Sequence, residues 1–475
     1  MRDTIQETTA RIIQHFPFEV TEDQRKMMHI IAEFLHFREE NSLMLLKGFA
    51  GTGKTTSVAA LVRLFKSVNY KTVLLAPTGR AAKVMAKYTN HPASTIHRKI
   101  YFTDVKEGVF QFKMQLNKHK DTFFIVDEAS MISNHSSGMG NDYYQGRRLL
   151  DDLFNYVYSG SNCRMILLGD TAQLPPVGLE LGQALDVEYL KANFHCRVFY
   201  YELSEVLRQS KESGILSNAS NIREKISAED IGMPFFSLQQ FDDIQKITGE
   251  YLEEILNDSF QKNVEESILI TRSNKRANIF NKEIRNRIFF REEIISAGDL
   301  LMVVRNNYFW LPKNSKAGFI ANGDILEVLN IINIEEIYGF RFAEIRLRLI
   351  DYPEEKDFEV KILLDTLDID AANLPYEKQK DLYYTIAKDY QDLPSRYQRH
   401  QKIINNPYFN ALQVKFSYAI TCHKAQGGQW DYVIVDQGFL PPDGLDMGFL
   451  RWLYTAVTRA KKQVYLLNFS EDFFD

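Results

Sequence analysis

An apolar run, Leu43-Met-Leu-Leu46, feeds directly into Gly48-Phe-Ala-Gly-Thr-Gly-Lys-Thr-Thr56, and Val58-Ala-Ala-Leu-Val62 follows. A strand, a glycine-rich loop and a helix are written in order, and few folds accommodate that order. Gly48, Gly51 and Gly53 let backbone N–H groups curl around an anion at a helix N-terminus, and Thr52 and Thr56 complete the loop. Lys54 reaches the outer phosphates as a point charge and the Thr55 hydroxyl is placed to ligate Mg²⁺. The segment therefore predicts a site for ATP or a related nucleoside triphosphate with Mg²⁺.

Further short β-rich runs, Thr72–Ala76, Thr122–Val126 and Met165–Leu168, alternate with helical stretches, which predicts a parallel, doubly wound α/β sheet. Ligands collect at the carboxyl ends of such strands. There the sequence sets Asp127 and Glu128, a pair suited to holding Mg²⁺ and to deprotonating an attacking water, and Gly169-Asp170 with the proline-stiffened Gln173. A second α/β set, Ser267–Thr271, Tyr432–Val435 and Gln463–Leu467, predicts a second core, and β-rich runs between residues 298 and 365 predict a small barrel inserted into it. Tyr101 to Phe112 reads as a hairpin with its turn at Asp104 to Gly108. The loop Ser133 to Asn141 reads as mobile.

The 475 residues exceed what one core usually serves. The net charge of −5 offers no global attraction to nucleic acid, so any such contact rests on local basic surface. Arg272 to Arg291 supplies a candidate, with seven Lys or Arg against one Glu. No apolar run reaches the ~20 residues that cross a bilayer. Three cysteines without C-x-x-C spacing suggest packed thiols rather than a disulfide framework or zinc site. A cytoplasmic location is expected, nucleoid-associated in a bacterial source.

Eight segments in order resemble the motifs of the superfamily 1 DNA helicases, in the branch containing RecD and Dda. They are Gly48 to Thr56, Ala76-Pro-Thr-Gly-Arg-Ala-Ala-Lys83, Ser94-Thr-Ile-His97, Asp127-Glu-Ala-Ser130, Gly169 to Val177, Leu207-Arg-Gln209, Thr421-Cys-His-Lys-Ala-Gln-Gly427 and Tyr454-Thr-Ala-Val-Thr-Arg459. The resemblance implies two RecA-like P-loop cores, the first formed by residues 1–96 and 123–201 and the second by 202–297 and 412–475. It further implies a hairpin or pin insert at 97–122 and a barrel with helical extension at 298–411. It makes Arg208 and Arg459 arginine fingers and sets Gln24 on the adenine edge. Thr78, Arg80, Lys83, His97, Thr421, His423 and Lys424 become contacts to single-stranded DNA, and Phe102 and Phe110, with Val109, candidate wedges at a single-strand/duplex junction. An ATP-dependent helicase travelling 5′ to 3′ follows, with DNA repair or recombination as its setting. An RNA-directed enzyme of the same superfamily and a non-unwinding nucleotide-dependent clamp stay open. One departure is Gly428-Gln429-Trp430, where the family commonly has an acidic residue before an aromatic one.

Overall fold

The structure, a computed structural model, describes residues 4–474 apart from 38–40, 107–108, 133, 135–147, 177, 180–181, 206–212, 313–314, 316 and 442–443; residues 103–106 and 109–112 are described by backbone alone. Arg208 and most of the loop from Ser133 to Asn141 lie outside the described residues.

The first core is a six-stranded sheet in the order Ala93–Thr95, Lys71–Ala76, Thr122–Val126, Arg164–Gly169, Ser42–Gly48, Arg197–Leu203, and every neighbouring pair is parallel. The central strands are buried along almost their whole length, as expected when helices cover both faces. Two capping boxes, Thr4 with Glu7 and Thr21 with Gln24, start the helices Ile5–Gln14 and Glu22–His36 that pack beside this sheet.

The second core is a five-stranded parallel sheet in the order Ala419–Thr421, Ser267–Thr271, Trp430–Asp436, Ala460–Leu467, Ile244–Ile247. A closed barrel joins Leu300–Val303, Ile325–Ile337, Phe340–Leu349, Phe358–Leu363 and Leu412–Phe416. Its last strand corrects the boundary at 412: Leu412–Phe416 pairs antiparallel with Leu300–Val303 and parallel with Phe358–Leu363, so it belongs to the barrel rather than the second core. The long barrel hairpin turns at Tyr338 (φ 59°) and Gly339 (φ 76°). The helices Tyr376–Ala387 and Arg396–Ile404 bury Leu382, Ile386 and Ile403 against Phe340, Phe342 and Leu363 of the barrel.

The strands of the hairpin insert run further than its sequence suggests. They are Tyr101–Lys106 and Val109–Met114, with Lys106 opposite Val109. Among the described residues no helix is long and apolar enough to cross a membrane.

Candidate nucleotide and nucleic-acid site

Gly51 (φ 77°) and Gly53 (φ 88°) occupy the left-handed region, and a Cβ added to Gly48 would lie 2.9 Å from Lys54 Cγ and 3.0 Å from Thr52 Oγ1. Thr52 Oγ1 donates to Phe49 O at 2.8 Å, a bond internal to the loop. Gln24 is buried behind it. Its Nε2 donates to Thr52 O at 3.4 Å and its Oε1 accepts from Thr21 N–H at 3.2 Å, so this side chain braces the loop. The helix Lys54–Ser67, with Thr55 and Thr56 in its first turn, begins without a side-chain cap, which leaves its first N–H groups free for an anion.

Lys54 Nζ donates to Gly48 O and lies 3.6 Å from Asp170 Oδ2. Asp170, fully buried, thereby enters the site. The turn containing it is visible in the sequence, but its pairing with Lys54 is not. Gln173 is buried too, and its Oε1 has no hydrogen-bond partner among the described residues. An amide oxygen stranded in this way suits a water or hydroxyl donor supplied with a bound nucleotide.

Asp127 and Glu128 follow the buried strand Thr122–Val126. Asp127 Oδ1 accepts the Glu128 N–H at 2.8 Å and Oδ2 accepts the hydroxyl of Tyr88 at 2.6 Å. Tyr88 carries no motif signature and was not foreseen. Glu128 has φ 52°, a conformation costly for a residue with a side chain and frequent where function imposes it. Burial raises its carboxyl above the ordinary range; the charges of Arg459 and Lys54 oppose that rise, and Asp127 and Asp170 add to it. The hard oxygen donors of Thr55 and Asp127, few in number, fit Mg²⁺, which keeps most of its water and takes one or two protein ligands.

The second core closes over this arrangement through the helix Met447–Val457. Tyr454 Oη donates to Asp170 Oδ2 at 2.8 Å and accepts the Ala50 N–H at 2.9 Å. Thr455 Oγ1 accepts from Leu174 N–H at 2.9 Å, Gln426 Nε2 donates to Leu174 O at 2.6 Å, and Arg451 reaches Thr171 O. Arg459 is buried, with Nε on Thr455 O at 3.0 Å and Nη1 on Gly428 O at 3.3 Å, and its charge acts on Glu128.

The residues assigned to nucleic acid are brought onto facing elements, but several are already engaged. Thr78 Oγ1 caps the helix Gly79–Thr89 by accepting from Ala81 N–H at 3.2 Å. Arg80 donates to Gln429 O at 3.3 Å with its guanidinium carbon 3.9 Å from the Trp430 ring centroid. Lys83 donates to Asp351 Oδ1 at 2.9 Å and to Ile350 O at 3.3 Å, both on the barrel side. Desolvation pushes His97 down to about 4, so its ring is neutral and packs on Tyr101. On the second core Thr421 is buried and His423 exposed, while Lys424 Nζ is buried without an acceptor among the described residues; burial, then the nearby Lys415, pushes that ammonium down to about 8.

Two expectations are corrected. Phe102 is exposed but faces Lys113 at the open end of the hairpin, about 13 Å from the tip at ~3.3 Å per residue, too far to act there. Phe110 and Val109 are near the tip by register, and their side chains lie outside the described set. In the basic stretch from Arg272, most charges are already paired within the fold. Arg276 pairs with Asp436, Lys282 with Asp368, Arg285 and Arg291 with Asp299, and Arg287 with Glu283, while Arg272 lies over the rings of Phe449 and Trp452.

Residues 19–234 match the AAA domain family and residues 416–467 the UvrD-like helicase C-terminal domain. A phosphate loop and paired carboxylates on one parallel-sheet core, covered by a tyrosine and an arginine from a second, define a two-lobed P-loop nucleoside triphosphatase. The chain is 23% identical to an uncharacterized protein of Acanthamoeba polyphaga mimivirus over 91% of its own length and 97% of that protein. It is 24% identical to the ATP-dependent DNA helicase Dda of Enterobacteria phage T4 over 94% and 99% of the two chains. With the ATP-dependent RecD2 DNA helicase of Deinococcus radiodurans it shares 31% identity over 38% of this chain, spanning 21% of that larger protein. These similarities support a superfamily 1 helicase of the RecD/Dda type.

Proposed function

We propose that the protein is an ATP-driven DNA helicase that moves 5′ to 3′ along single-stranded DNA and separates duplex at a junction. The observation that carries this reading is the position of Glu128, whose carboxylate feels Lys54 from one core and Arg459 from the other. Neither core alone assembles both cations around it.

In this mechanism the loop N–H groups and Lys54 bind the phosphates, and Gln24 sets the edge of the site. Thr55 and Asp127 would hold Mg²⁺, which when bound offsets charge on the β- and γ-phosphates. Glu128 orients the attacking water and takes its proton, a task suited to a carboxylate whose proton affinity burial has raised. Arg459 swings from Thr455 O and Gly428 O toward the γ-phosphate, and Arg208 is proposed to join it. Tyr454 must leave Ala50 for phosphate to enter, so binding and lobe movement are one event. Thr78, Arg80 and Lys83 on one core and Thr421, His423 and Lys424 on the other then exchange their hold on the DNA backbone.

The test is unwinding of a duplex bearing either a 5′ or a 3′ single-stranded tail, with matched RNA substrates. ATP-dependent separation from the 5′-tailed DNA is expected. Separation only from the 3′ tail refutes the direction, and a preference for RNA refutes the substrate.

A further inference from the structure

Tyr88 is the tenth residue of the helix Gly79–Thr89, on which Arg80 and Lys83 also stand. Its hydroxyl donates to Asp127 Oδ2 at 2.6 Å, the short range of a charge-assisted bond, while Asp127 Oδ1 is held by the Glu128 N–H at 2.8 Å. The carboxylate is thus clamped at both oxygens. Each oxygen keeps a lone pair for a metal-bound water. The Glu128 N–H is committed to Asp127, so any rotation of Asp127 disturbs the backbone on which Glu128 holds its left-handed conformation.

Arg80, Lys83, Lys87 and Tyr88 line one cavity of about 460 Å³ with Thr55 and, across it, Gln429, Trp430 and Asp351. The eight steps from Arg80 to Tyr88 rise about 12 Å at ~1.5 Å each. A helix transmits a small displacement along its axis as a rigid unit, so groups at its two ends share one motion. At one end Arg80 and Lys83 are bonded to acceptors on the second core and the barrel. A phosphodiester backbone offers them competing anionic oxygens.

We propose that Tyr88 is a positioning residue for the metal-binding carboxylate Asp127, and that the helix Gly79–Thr89 conveys single-strand occupancy at Arg80 and Lys83 to that carboxylate through the Tyr88 hydroxyl. The inference rests on the nucleotide-driven reading above and assigns its coupling to a particular bond. Tyr88→Phe keeps the ring and deletes only the donor, so packing is preserved.

The experiment titrates Mg²⁺ into the full chain with the fluorescent nucleotide mant-ADP and follows binding, with and without an oligo(dT) strand. In the wild type, oligo(dT) lowers the Mg²⁺ concentration at half-maximal binding. In Tyr88→Phe that concentration rises about 10-fold, the low end of what loss of a ligand-orienting hydrogen bond costs in metal affinity, and oligo(dT) no longer shifts it. Identical Mg²⁺ curves for the two proteins overturn the positioning role. A raised curve that still responds to oligo(dT) overturns the relay. Should Tyr88→Phe fail to fold, Lys83→Gln serves, measured at oligo(dT) concentrations that saturate the variant: a reduced shift of its Mg²⁺ curve is expected, and a full shift overturns the relay. A wild type that binds no mant-ADP at any Mg²⁺ concentration removes the nucleotide site itself, a result distinct from all of these.

Discussion

Ala50, in the phosphate loop, donates its backbone N–H at 2.9 Å to the hydroxyl of Tyr454, 404 residues further along the chain on the second core. That hydroxyl also donates to the buried Asp170. One side chain therefore satisfies two groups that face the phosphate site. Tyr454→Phe removes both bonds, leaving Asp170 with the Ala172 N–H and Lys54, and loss of a hydrogen bond to a buried charge costs about 2 kcal/mol. The expected result is a lower unfolding midpoint for the nucleotide-free protein, with the deficit narrowed by saturating Mg²⁺-ADP, read by thermal denaturation. Equal midpoints without nucleotide contradict the assigned contact.

Glu128→Gln keeps the size of the side chain and removes the base. ATP turnover stimulated by single-stranded DNA is expected to fall by about 10²- to 10⁴-fold while mant-ADP binding changes little. Steady-state phosphate release and fluorescence titration together check this, and retained turnover removes Glu128 from catalysis.

Arg459→Ala tests the opposite wall of the cleft. An arginine acting on transition-state charge is worth about 10³-fold or more, so kcat is expected to drop by that order with nucleotide affinity nearly kept. A rise in KM at unchanged kcat instead marks Arg459 as a ground-state binder.

Asp351 occupies Lys83 at 2.9 Å, and the pair is partly open to solvent on the lysine side. Exposed pairs contribute no more than about 1 kcal/mol. Asp351→Asn is expected to free Lys83 and tighten oligo(dT) binding by about 2- to 5-fold at low salt. Lys83→Gln should weaken binding and reduce the slope of log affinity against log salt by about 0.7, the value for one phosphate contact on a single strand. Fluorescence anisotropy across a salt series measures both, and an unchanged slope excludes Lys83 from phosphate contact.

Asp324, fully buried where the barrel meets the first core, is pushed up to about 8 by burial, with Asp351 adding to the rise and the Ala321 N–H and Arg98 opposing it. Between about pH 4 and pH 8 the folded chain binds a proton there that the unfolded chain lacks, so this group's contribution to stability falls as pH rises through that window. Asp324→Asn mimics the protonated form. Its unfolding midpoint relative to wild type is expected to climb from pH 5 to pH 8 and level off above, and a flat difference across a pH series disproves the assignment.

Local motifs made the nucleotide half of the site legible. The glycines at 51 and 53, Lys54, and the carboxylates after the buried strand Thr122–Val126 act within a few residues of their neighbours, so spacing alone announces them. Contacts made at long range were not announced. Tyr88 reaches Asp127 across 39 residues, and Asp436, Asp299 and Asp368 neutralise a basic stretch from distant segments, so an isolated run of Lys and Arg overstated the available charge. The strand Leu412–Phe416 looked like part of the second core because it directly precedes another of that core's strands, and only its hydrogen bonds to Leu300–Val303 reveal the barrel. Phe102 reads as a wedge candidate in the sequence because nothing local shows that its strand runs on to Lys106.

The same pairing of Leu301 with Phe416 means that the barrel leaves its host and returns to it side by side. An insertion with adjoining ends has a single doorway. Its girth, loops and helical annex can be lengthened or exchanged over evolutionary time while the spacing between the host strands on either side stays fixed, which makes the barrel a natural place for such motors to diversify without rebuilding the engine.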